Sequence, residues 1–347
     1  MLNIKISMPS LKTSDPSIYN FVNSNDNIYN NKKYWINEDI NEADYWFVIE
    51  NPNNLISEKT SVKNNNIFFL SSETSFENMY YSRPSKLEFL SQFKEIYSSD
   101  FIFRKNVVNT PPFLPWKIFS PMRKNIDGEI SDIEKLRNLS IKKTKLLSVI
   151  CSDKTSTPFQ QVRLEFINNL KKELGGDLDW FGRGFNFISK EDGILPYKYH
   201  IVLENQNRHN VISEKLYDCY LGMAYPIYSG ANNLNEYFPE KSFLNLDLNN
   251  FRKSLDSIND LLASNTYEEN VALLQNARNV VLDDFNFIKR IDNIVNENEE
   301  VEIENKYKEI TIMHRRSYEN KSRLAKLLFK INKVLRKIIS KLESYYT

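Results

Sequence analysis

The sequence of 347 residues predicts an α/β fold built from two doubly wound domains, and the pattern along the chain gives the reason. Short continuous apolar runs, typical of buried parallel strands, alternate with stretches of helical periodicity. This alternation occurs in both halves of the chain, and the polar, charged segment 125–138 lies between them. We therefore predict an N-terminal domain over 1–140, a C-terminal domain over 141–300 and a separate tail over 301–347.

The N-terminal half contains apolar runs bounded by Asn, Asp and Ser, and these predict strands at 2–8, 45–49 and 67–70. A helix is expected at 86–97, where apolar residues recur every three to four positions. The prolines of 111–116 fix φ and exclude a helix, so that segment is predicted to be an ordered loop.

The C-terminal half contains two clear helix starts. Thr157 followed by Pro158 predicts the first, because a capping side chain and a proline at the first helical position both favour a helix N-terminus. The glycine pair at 175–176 ends that helix. Ser213 is expected to cap a second helix over 213–223. Strands are predicted at 146–151, 178–181, 199–203 and 226–228.

The composition excludes several function classes. A formal net charge of +1 gives no reason to expect a nucleic-acid partner. Residues 1–127 contain no glycine, and seven of the eight glycines lie between Gly175 and Gly230, so the sequence has no G-x-G-x-x-G turn after its first strand and no Walker loop. A nucleotide would therefore have to be held by cationic side chains and helix ends, in the second half of the chain.

Metal binding and membrane spanning are also disfavoured. Three histidines (His200, His209 and His314) are too few for a His-rich site, and we expect no metal. The two cysteines, Cys151 and Cys219, lack metal-ligand spacing and suit a reduced, cytosolic chain. No stretch approaches 18 consecutive apolar residues, so no transmembrane helix is expected.

Lys215 is the first candidate binding residue. It stands in the first turn of the helix capped by Ser213, beyond a strand that ends at Asn205. In an open α/β sheet, ligands bind beyond the carboxyl ends of the strands, where a helix N-terminus offers free N–H donors. A cation at that terminus opposes the helix dipole by about 0.3–1 kcal/mol, which makes sense if an anion such as phosphate sits there. The alternative is a solvated lysine on an exposed turn.

Arg163 and Glu73 are the other two candidates. Arg163 lies one and a half turns into the helix that starts at Pro158, and a diphosphate held without a metal needs more than one cation. The alternative is a surface arginine that covers the helix flank.

Glu73 follows the predicted strand 67–70, the position of a general base across a cleft from the other domain. A glutamate at a strand end is more often solvated than catalytic.

Three ordered segments resemble the signature of the α1,3-fucosyltransferases, glycosyltransferase family 10: YKYHIVLEN at 197–205, SEKL at 213–216 and PIYSG at 226–230. The family pattern reads Y-K-F-x-(L/I)-x-F-E-N, about seven residues, (T/S)-E-K, and then P-(I/V)-x-x-G. Two shorter resemblances involve Glu73, whose segment is similar to the family's E-S-P, and Arg163, which is similar to the arginine on the first helix of the nucleotide domain. The resemblance covers roughly residues 60–260.

The resemblance implies a fold and a mechanism. The fold would consist of two Rossmann-like domains facing a cleft, the glycosyltransferase B type, followed here by a C-terminal basic amphipathic helix. The reaction would invert the anomeric carbon without a metal, with GDP-fucose as the donor and no further cofactor.

The resemblance also implies roles for individual residues. Glu73 would be the base that takes the acceptor proton, and Arg163 and Lys215 would neutralise the leaving diphosphate. Glu214 would bind hydroxyls of the ribose or sugar, and Asn205 would shape the donor pocket.

Further matched positions complete the expected donor site, namely Lys198 and Ser213. Three positions depart from the family pattern. Val211 stands where an aromatic residue is common, Leu203 replaces a phenylalanine, and Ser75 replaces the proline of E-S-P. The reaction type is therefore better supported than the identity of the sugar.

Two features concern partners. Trp116 could stack on a sugar face of the acceptor, and the alternative is a core or hinge anchor. The segment 319–343 carries eight Lys/Arg and two Glu, a net charge of +6 that leaves −5 for the rest of the chain, with leucine and isoleucine at helical spacing. We favour contact of this basic helix with an anionic membrane surface, to which each Lys/Arg contributes about 1 kcal/mol. The alternative is a partner or oligomerisation helix.

The sequence therefore predicts an inverting fucosyltransferase that acts on a glycan or glycolipid acceptor, such as a surface glycan or a lipopolysaccharide precursor. It would be cytoplasmic and peripheral on the inner face of the membrane. Two alternatives stay open: the same fold with another nucleotide sugar, and a catalytically silent glycan-binding or scaffold protein.

Overall fold

A computed structural model describes residues 1–9, 27–74, 83–119, 133–186, 188–299 and 306–319. These residues form a mixed α/β fold with parallel sheets, which confirms the predicted class at that level. The strands are β1 (Leu2–Ser7), β2 (Ile28–Tyr29), β3 (Lys32–Ile36), β4 (Glu42–Ala43), β5 (Tyr45–Ile49), β6 (Ser57–Lys63), β7 (Ile67–Leu70), β8 (Glu95–Ser98), β9 (Val107–Asn109), β10 (Lys145–Ile150), β11 (Leu178–Phe181), β12 (Tyr197–Leu203), β13 (Tyr225–Ser229), β14 (Leu244–Asn245) and β15 (Tyr307–Met313). The helices are α1 (Pro84–Leu90), α2 (Ile133–Arg137), α3 (Pro158–Leu174), α4 (Lys190–Ile194), α5 (Glu214–Leu221), α6 (Phe251–Ala263), α7 (Thr266–Glu269), α8 (Val271–Asp283), α9 (Phe287–Glu297) and α10 (Arg316–Glu319).

The chain divides into two compact units. Within the described residues, the first unit holds 1–9, 31–74, 83–109 and 306–319, and the second holds 27–30, 110–119, 133–186 and 188–299.

The first unit is organised by a sheet in which its strands lie in the order β3-β1-β5-β7-β8-β9. The pairs β1–β3, β1–β5, β5–β7, β7–β8 and β8–β9 are parallel. Every residue of β5 and β7 is buried, as their continuous apolar runs predict for a sheet covered on both faces. Because β5, β7 and β8 are parallel neighbours, the loops that follow them emerge at one edge of this sheet.

A smaller sheet, ordered β15-β6-β4, corrects the prediction for the C-terminal tail. Residues 307–313, expected to be part of a helical tail over 301–347, form β15 and pair antiparallel with β6. The reason is a two-residue alternation around Ile310 and Ile312, with Ile312 only 1% exposed. Most of the predicted basic helix, 320–347, lies outside the described residues.

The second unit contains a sheet of five parallel strands in the order β11-β10-β12-β13-β14. Both predicted helix caps are confirmed. The Thr157 side chain accepts a hydrogen bond from Gln160 N at 3.2 Å and opens α3. The Ser213 side chain accepts from Lys215 N at 3.4 Å and opens α5. These caps set two helix N-termini beyond the carboxyl ends of β10 and β12.

Two predicted boundaries differ from the structure. The helix expected at 86–97 ends at Leu90, and its last residues belong to β8, whose Ile96 and Tyr97 are buried beside β7. The proline-rich segment 111–116 belongs to the second unit, so the units divide after Asn109 and not near 140. Arg290 of α9 explains this, since its guanidinium donates hydrogen bonds to the carbonyls of Pro111 at 2.7 Å and Pro112 at 2.8 Å.

Candidate functional site

The candidate site of the second unit lies at the carboxyl edge of its parallel sheet. β12 ends at Leu203, and α3 and α5 begin beyond this edge. This is where open α/β sheets bind ligands, because strand ends and helix N-termini converge there.

Arg163 of α3 reaches the end of β12. Its Nη1 donates to the carbonyl oxygens of Leu203 at 3.0 Å and Glu204 at 3.2 Å, and to Asn205 Oδ1 at 2.9 Å. The residue is 6% exposed, and its buried Nε has no hydrogen-bond partner among the described residues. Arg163 therefore fixes the Glu204–Asn205 turn from a buried position, so it is not the solvated surface arginine of the alternative interpretation.

Glu204 is the residue whose role the sequence analysis missed. It is 1% exposed, and its Oε1 accepts from Ser213 N at 2.8 Å. Its Oε2 accepts from Ser213 Oγ at 2.7 Å and from Lys215 Nζ at 3.2 Å. The cation in the first turn of α5 thus has an anion beside it, and that anion is a carboxylate of the chain itself. The signal was present in the sequence, since Glu204 belongs to the quoted motif YKYHIVLEN.

The surrounding charges form a compact network. Lys215 and Glu214 keep 29% and 22% of their side chains exposed, and Lys190 keeps 24%. Lys190 Nζ lies 2.6 Å from Asp218 Oδ2 and 3.7 Å from Glu214 Oε1. The ammonium groups of Lys190 and Lys215 therefore flank the Glu214 carboxylate, and the side chains of all three reach solvent.

The network shifts the protonation equilibria of its members. Burial would lower the pKa of Lys215, but the carboxylates of Glu204 and Glu214 outweigh burial and raise it. Burial would raise the pKa of Glu214, but Lys215, Lys190 and Lys117 outweigh burial and bring that pKa to about 2. Both groups are consequently charged at neutral pH, which suits the recognition of an anion together with hydroxyl groups.

Gly230, the last residue of the third motif, is required by close packing. A Cβ atom on Gly230 would lie 2.3 Å from the Tyr228 hydroxyl oxygen and 2.5 Å from Glu204 Cγ. The Tyr228 hydroxyl donates to the Val211 carbonyl at 3.0 Å and accepts from Ala231 N at 2.8 Å. The motif glycine therefore leaves room for the buried carboxylate and for the tyrosine that holds the loop before Ser213.

Lys198 does not join this group of residues, which corrects its placement in the donor site. It is the second residue of β12, about 16 Å along the strand from Leu203 at the carboxyl end. Its ammonium pairs with the Glu268 carboxylate and lies 5.9 Å from the Tyr267 ring centroid. Proximity in a sequence motif misled the prediction, because the two ends of a strand serve different edges of the sheet.

Trp116 is 4% exposed in the second unit. This burial favours the core-anchor interpretation over stacking on a sugar.

A cavity of about 890 Å³ elsewhere in the unit includes Tyr225, Leu244 and Asp260 in its lining, and none of its lining residues belongs to the Glu204 network.

The first unit contains Glu73 in the segment that follows β7. Its side chain is exposed, and its backbone is held by Glu50, the residue after β5. Glu50 Oε1 accepts from Ser72 N at 2.8 Å, from Ser71 Oγ at 3.1 Å and, at the limit of 3.4 Å, from Glu73 N. Glu50 Oε2 lies 3.6 Å from Arg315 Nη1.

Glu50 adopts a left-handed backbone conformation with φ of 62°, which costs a non-glycine residue about 1 kcal/mol. A strained residue of this kind persists only where its contacts over-determine it. We therefore identify Glu50 as the residue that positions the Ser71–Glu73 turn, a role for which the sequence contains no signal.

Two further findings concern the described residues alone. They contain no group of three or more His, Cys, Asp and Glu side chains arranged to hold a metal ion. None of their helices is both long and apolar enough to cross a membrane.

A parallel α/β unit with paired charges at its carboxyl edge is typical of enzymes that bind nucleotides. Residues 140–270 of this chain match the family model described as "Glycosyltransferase family 10 (fucosyltransferase) C-term". This match confirms the resemblance carried by the three motifs.

Curated relatives align over part of the chain. The chain is 28% identical over 104 residues to an alpha-(1,3)-fucosyltransferase of Helicobacter pylori, which covers 30% of the chain and 22% of that protein. It is 25% identical over 118 residues to the human 4-galactosyl-N-acetylglucosaminide 3-alpha-L-fucosyltransferase 9, which covers 30% of the chain and 32% of that protein. The chain thus spans about a fifth to a third of the length of these relatives.

Solved structures with a similar arrangement include an alpha1,3-fucosyltransferase with GDP-fucose, at a TM-score of 0.47 and 17% identity. Another is an alpha1,3-fucosyltransferase with GDP, at a TM-score of 0.47 and 20% identity. Each match covers 78% of this chain and 81% of the other.

Proposed function

We propose that this protein is an inverting, metal-independent α1,3-fucosyltransferase that moves L-fucose from GDP-fucose to a hydroxyl of a glycan or glycolipid. The acceptor would be the 3-OH of a residue of the N-acetylglucosamine or glucose type, in a surface glycan or a lipopolysaccharide precursor. The observation that carries the proposal is the meeting of Arg163, Asn205 and Lys215 around Glu204, within the residues that match the family model.

The donor diphosphate is proposed to bind between Arg163 and Lys215. The buried Nε of Arg163, which lacks a partner among the described residues, supports an anionic ligand at this place. Lys190 adds a third cation whose ammonium already balances Asp218 and approaches Glu214. As the bond between fucose and the diphosphate breaks, the negative charge that grows on the phosphate oxygens would be stabilised by cations fixed in advance.

Glu214 and Glu73 would carry the remaining roles. The Glu214 carboxylate, ionised at neutral pH, can accept hydrogen bonds from ribose or fucose hydroxyls. Glu73 would take the proton of the acceptor hydroxyl while its oxygen attacks the anomeric carbon and GDP departs from the opposite face, which inverts the configuration. Asn205 and Ser213 would shape the donor pocket through the contacts they already make.

The experiment that tests the donor is a hydrolysis screen. Purified protein is incubated with GDP-fucose, GDP-mannose and UDP-sugars, and the release of free nucleotide is measured beside GDP binding by calorimetry. We expect slow, selective hydrolysis of GDP-fucose. Selective turnover of another nucleotide sugar would favour the first alternative. The absence of both turnover and GDP binding would leave only the silent glycan-binding protein.

We further propose that the basic segment 319–343 places the protein on the inner, cytoplasmic face of an anionic membrane. Its net charge of +6 and its apolar residues at helical spacing support this. Deletion of 320–347 should abolish co-sedimentation with phosphatidylglycerol vesicles and preserve GDP-fucose hydrolysis. Unchanged vesicle binding would favour a partner or oligomerisation helix.

A further inference from the structure

The loop after β8 displays two neighbouring aromatic rings to solvent. Phe101 is 61% exposed and Phe103 is 63% exposed. Their ring centroids lie 4.9 Å apart and the rings are edge to face, at 81°. Two large exposed apolar side chains in contact with each other form a continuous apolar surface, which makes the pair a candidate contact surface.

The exposure is built into the loop. Ile102, between the two phenylalanines, is 5% exposed and packs in the core of the first unit, so its neighbours on either side are turned outward. Arg104 ties the loop down, because its Nη1 donates to the Leu87 carbonyl of α1 at 3.1 Å. The loop that carries the two rings is therefore held in place on both sides of Phe103.

The pair lies at the same sheet edge as Glu73. The Thr74 and Ser99 hydroxyl oxygens are 2.9 Å apart, a hydrogen bond that joins the segment after β7 to the segment after β8. Phe101 is two residues beyond Ser99, a distance of at most about 7 Å along the chain. The loop that carries the two rings is therefore adjacent to the segment that carries Glu73.

We propose that Phe101 and Phe103 form a stacking platform for a pyranose ring of the acceptor, an inference that rests on the proposed function. A pyranose has C–H groups on its ring faces and hydroxyl groups around its rim. The aromatic rings would cover a C–H face, and the Thr74 hydroxyl, which is bonded to the buried Ser99 hydroxyl, would meet the rim. Trp116, a candidate for this role with a core anchor as the alternative, is buried, and the aromatic segment 76–81 lies outside the described residues.

The test compares acceptor use with donor use. N-acetyllactosamine is the probe, because the name of the human relative describes a 4-galactosyl-N-acetylglucosaminide acceptor. The double variant Phe101→Ala, Phe103→Ala should raise the KM for N-acetyllactosamine about ten-fold or more, since a ring that loses water on binding contributes affinity of this order. Its GDP affinity and its GDP-fucose hydrolysis without acceptor should stay at the wild-type level. The double variant to tyrosine, which keeps the aromatic faces, should retain the wild-type KM.

Leu55→Ala is the matched control, because Leu55 is an apolar residue of the same unit with 72% exposure. An unchanged KM in the double alanine variant would overturn the platform.

Saturation-transfer NMR with free N-acetyllactosamine gives a reading that does not depend on turnover. Protein that binds GDP but transfers no saturation to this sugar would overturn the platform and leave the donor site standing. Protein that saturates the sugar through the phenylalanines without binding GDP would support the platform while the proposed function fails. Vesicle binding lost in the double alanine variant, with sugar binding unchanged, would overturn the platform in favour of a lipid surface.

Discussion

The carboxyl edges of the two parallel sheets are built in contrasting ways. In the second unit, the Glu204 carboxylate is 1% exposed and bonded to Ser213 and Lys215, and Arg163 secures the adjoining turn. In the first unit, the Glu73 side chain is exposed, and the contacts that hold it act on its backbone through Glu50.

The difference matches the two chemical tasks of the proposed function. Charges that are buried, paired and fixed before a ligand arrives can stabilise a transition state without reorganisation, which suits one constant, strongly charged donor. An exposed carboxylate on a tied-down turn costs no desolvation and leaves room for acceptors of different size. Substitutions in the Glu204 network of the second unit should therefore affect folding and donor binding. Substitutions at Glu73 and its turn in the first unit should affect transfer alone.

The largest expected effect belongs to Glu73. Glu73→Gln removes a proton acceptor and keeps the shape of the side chain, so transfer to the acceptor should fall by about 10²–10⁴-fold, the range of general base catalysis. GDP binding should stay at the wild-type level, as measured by calorimetry beside the transfer assay. Glu88→Gln, at an exposed glutamate on α1 of the same unit, is the control. Wild-type transfer by Glu73→Gln would remove Glu73 from the base role.

The second effect concerns the buried edge. Glu204→Gln leaves Lys215 without its closest anion, and we expect the free energy of unfolding in urea to fall by about 3 kcal/mol, the lower end for a broken buried pair. Adding Lys215→Met should recover part of this loss, because it removes the uncompensated cation.

The exposed pair of Lys198 and Glu268 provides the control for this cycle, since Glu268 is 51% exposed. Glu268→Gln should change the unfolding free energy by less than about 1 kcal/mol. If Glu204→Gln and Glu268→Gln lower the unfolding free energy equally, burial does not make the Glu204 network more stabilising than an exposed ion pair.

Much of the second unit could be predicted from the sequence, for physical reasons. Thr157 and Ser213 are local signals, because a cap acts within three residues, and both helices begin where the caps predict. The position of Lys215 at a helix N-terminus predicts a phosphate, and that stays a prediction. The Glu204 carboxylate beside Lys215 could not be predicted, because Glu204 lies nine residues before Ser213 and reaches it only after the chain has turned.

The first unit shows where sequence reasoning stops. The strand before Glu73 follows from its apolar run, but β15 pairs with β6 across more than 240 residues, and no local pattern specifies such a partner. Lys198 was misplaced for a related reason, since a residue's position in a motif along the chain does not tell which sheet edge it occupies.

The third effect is a pH dependence of stability that Glu214 contributes. Its pKa is about 2 in the folded protein and about 4.5 in the unfolded chain, so the unfolded state binds more protons between these values. The stabilisation is therefore complete above about pH 4.5 and is lost as the pH falls towards 2. At pH 7 we expect the unfolding free energy of wild type to exceed that of Glu214→Gln by about 2 kcal/mol. The same comparison at pH 3 should give a smaller difference.

Glu165→Gln, at an exposed glutamate on α3, is the control for this pH series. A difference between wild type and Glu214→Gln that is the same at both pH values would contradict the charge network around Lys190 and Lys215.

The smallest effect should come from Glu50, which is proposed to position Glu73 through the backbone. Glu50→Ala removes the acceptor of the Ser72 amide and one of the two acceptors of the Ser71 hydroxyl, so the turn that carries Glu73 loosens. We expect the kcat of transfer to fall about ten-fold, equivalent to about 1.4 kcal/mol, with the KM for the donor unchanged. Glu50→Gln keeps an oxygen at the same place and should recover most of the rate, although it loses the charge that faces Arg315.

This rescue separates positioning from stability. If Glu50 only held the first unit together, both variants would lower the unfolding free energy in proportion to their loss of rate, and the effect of Glu73→Gln would be the same in each background. If Glu50 acts through the turn, Glu73→Gln should abolish the difference between Glu50→Ala and wild type, since a misplaced turn costs nothing once the base is gone. If Glu50→Ala still lowers the rate of transfer ten-fold in the Glu73→Gln background, Glu50 acts elsewhere. The orientation of the Glu73 carboxylate would then depend on solvent and the acceptor alone.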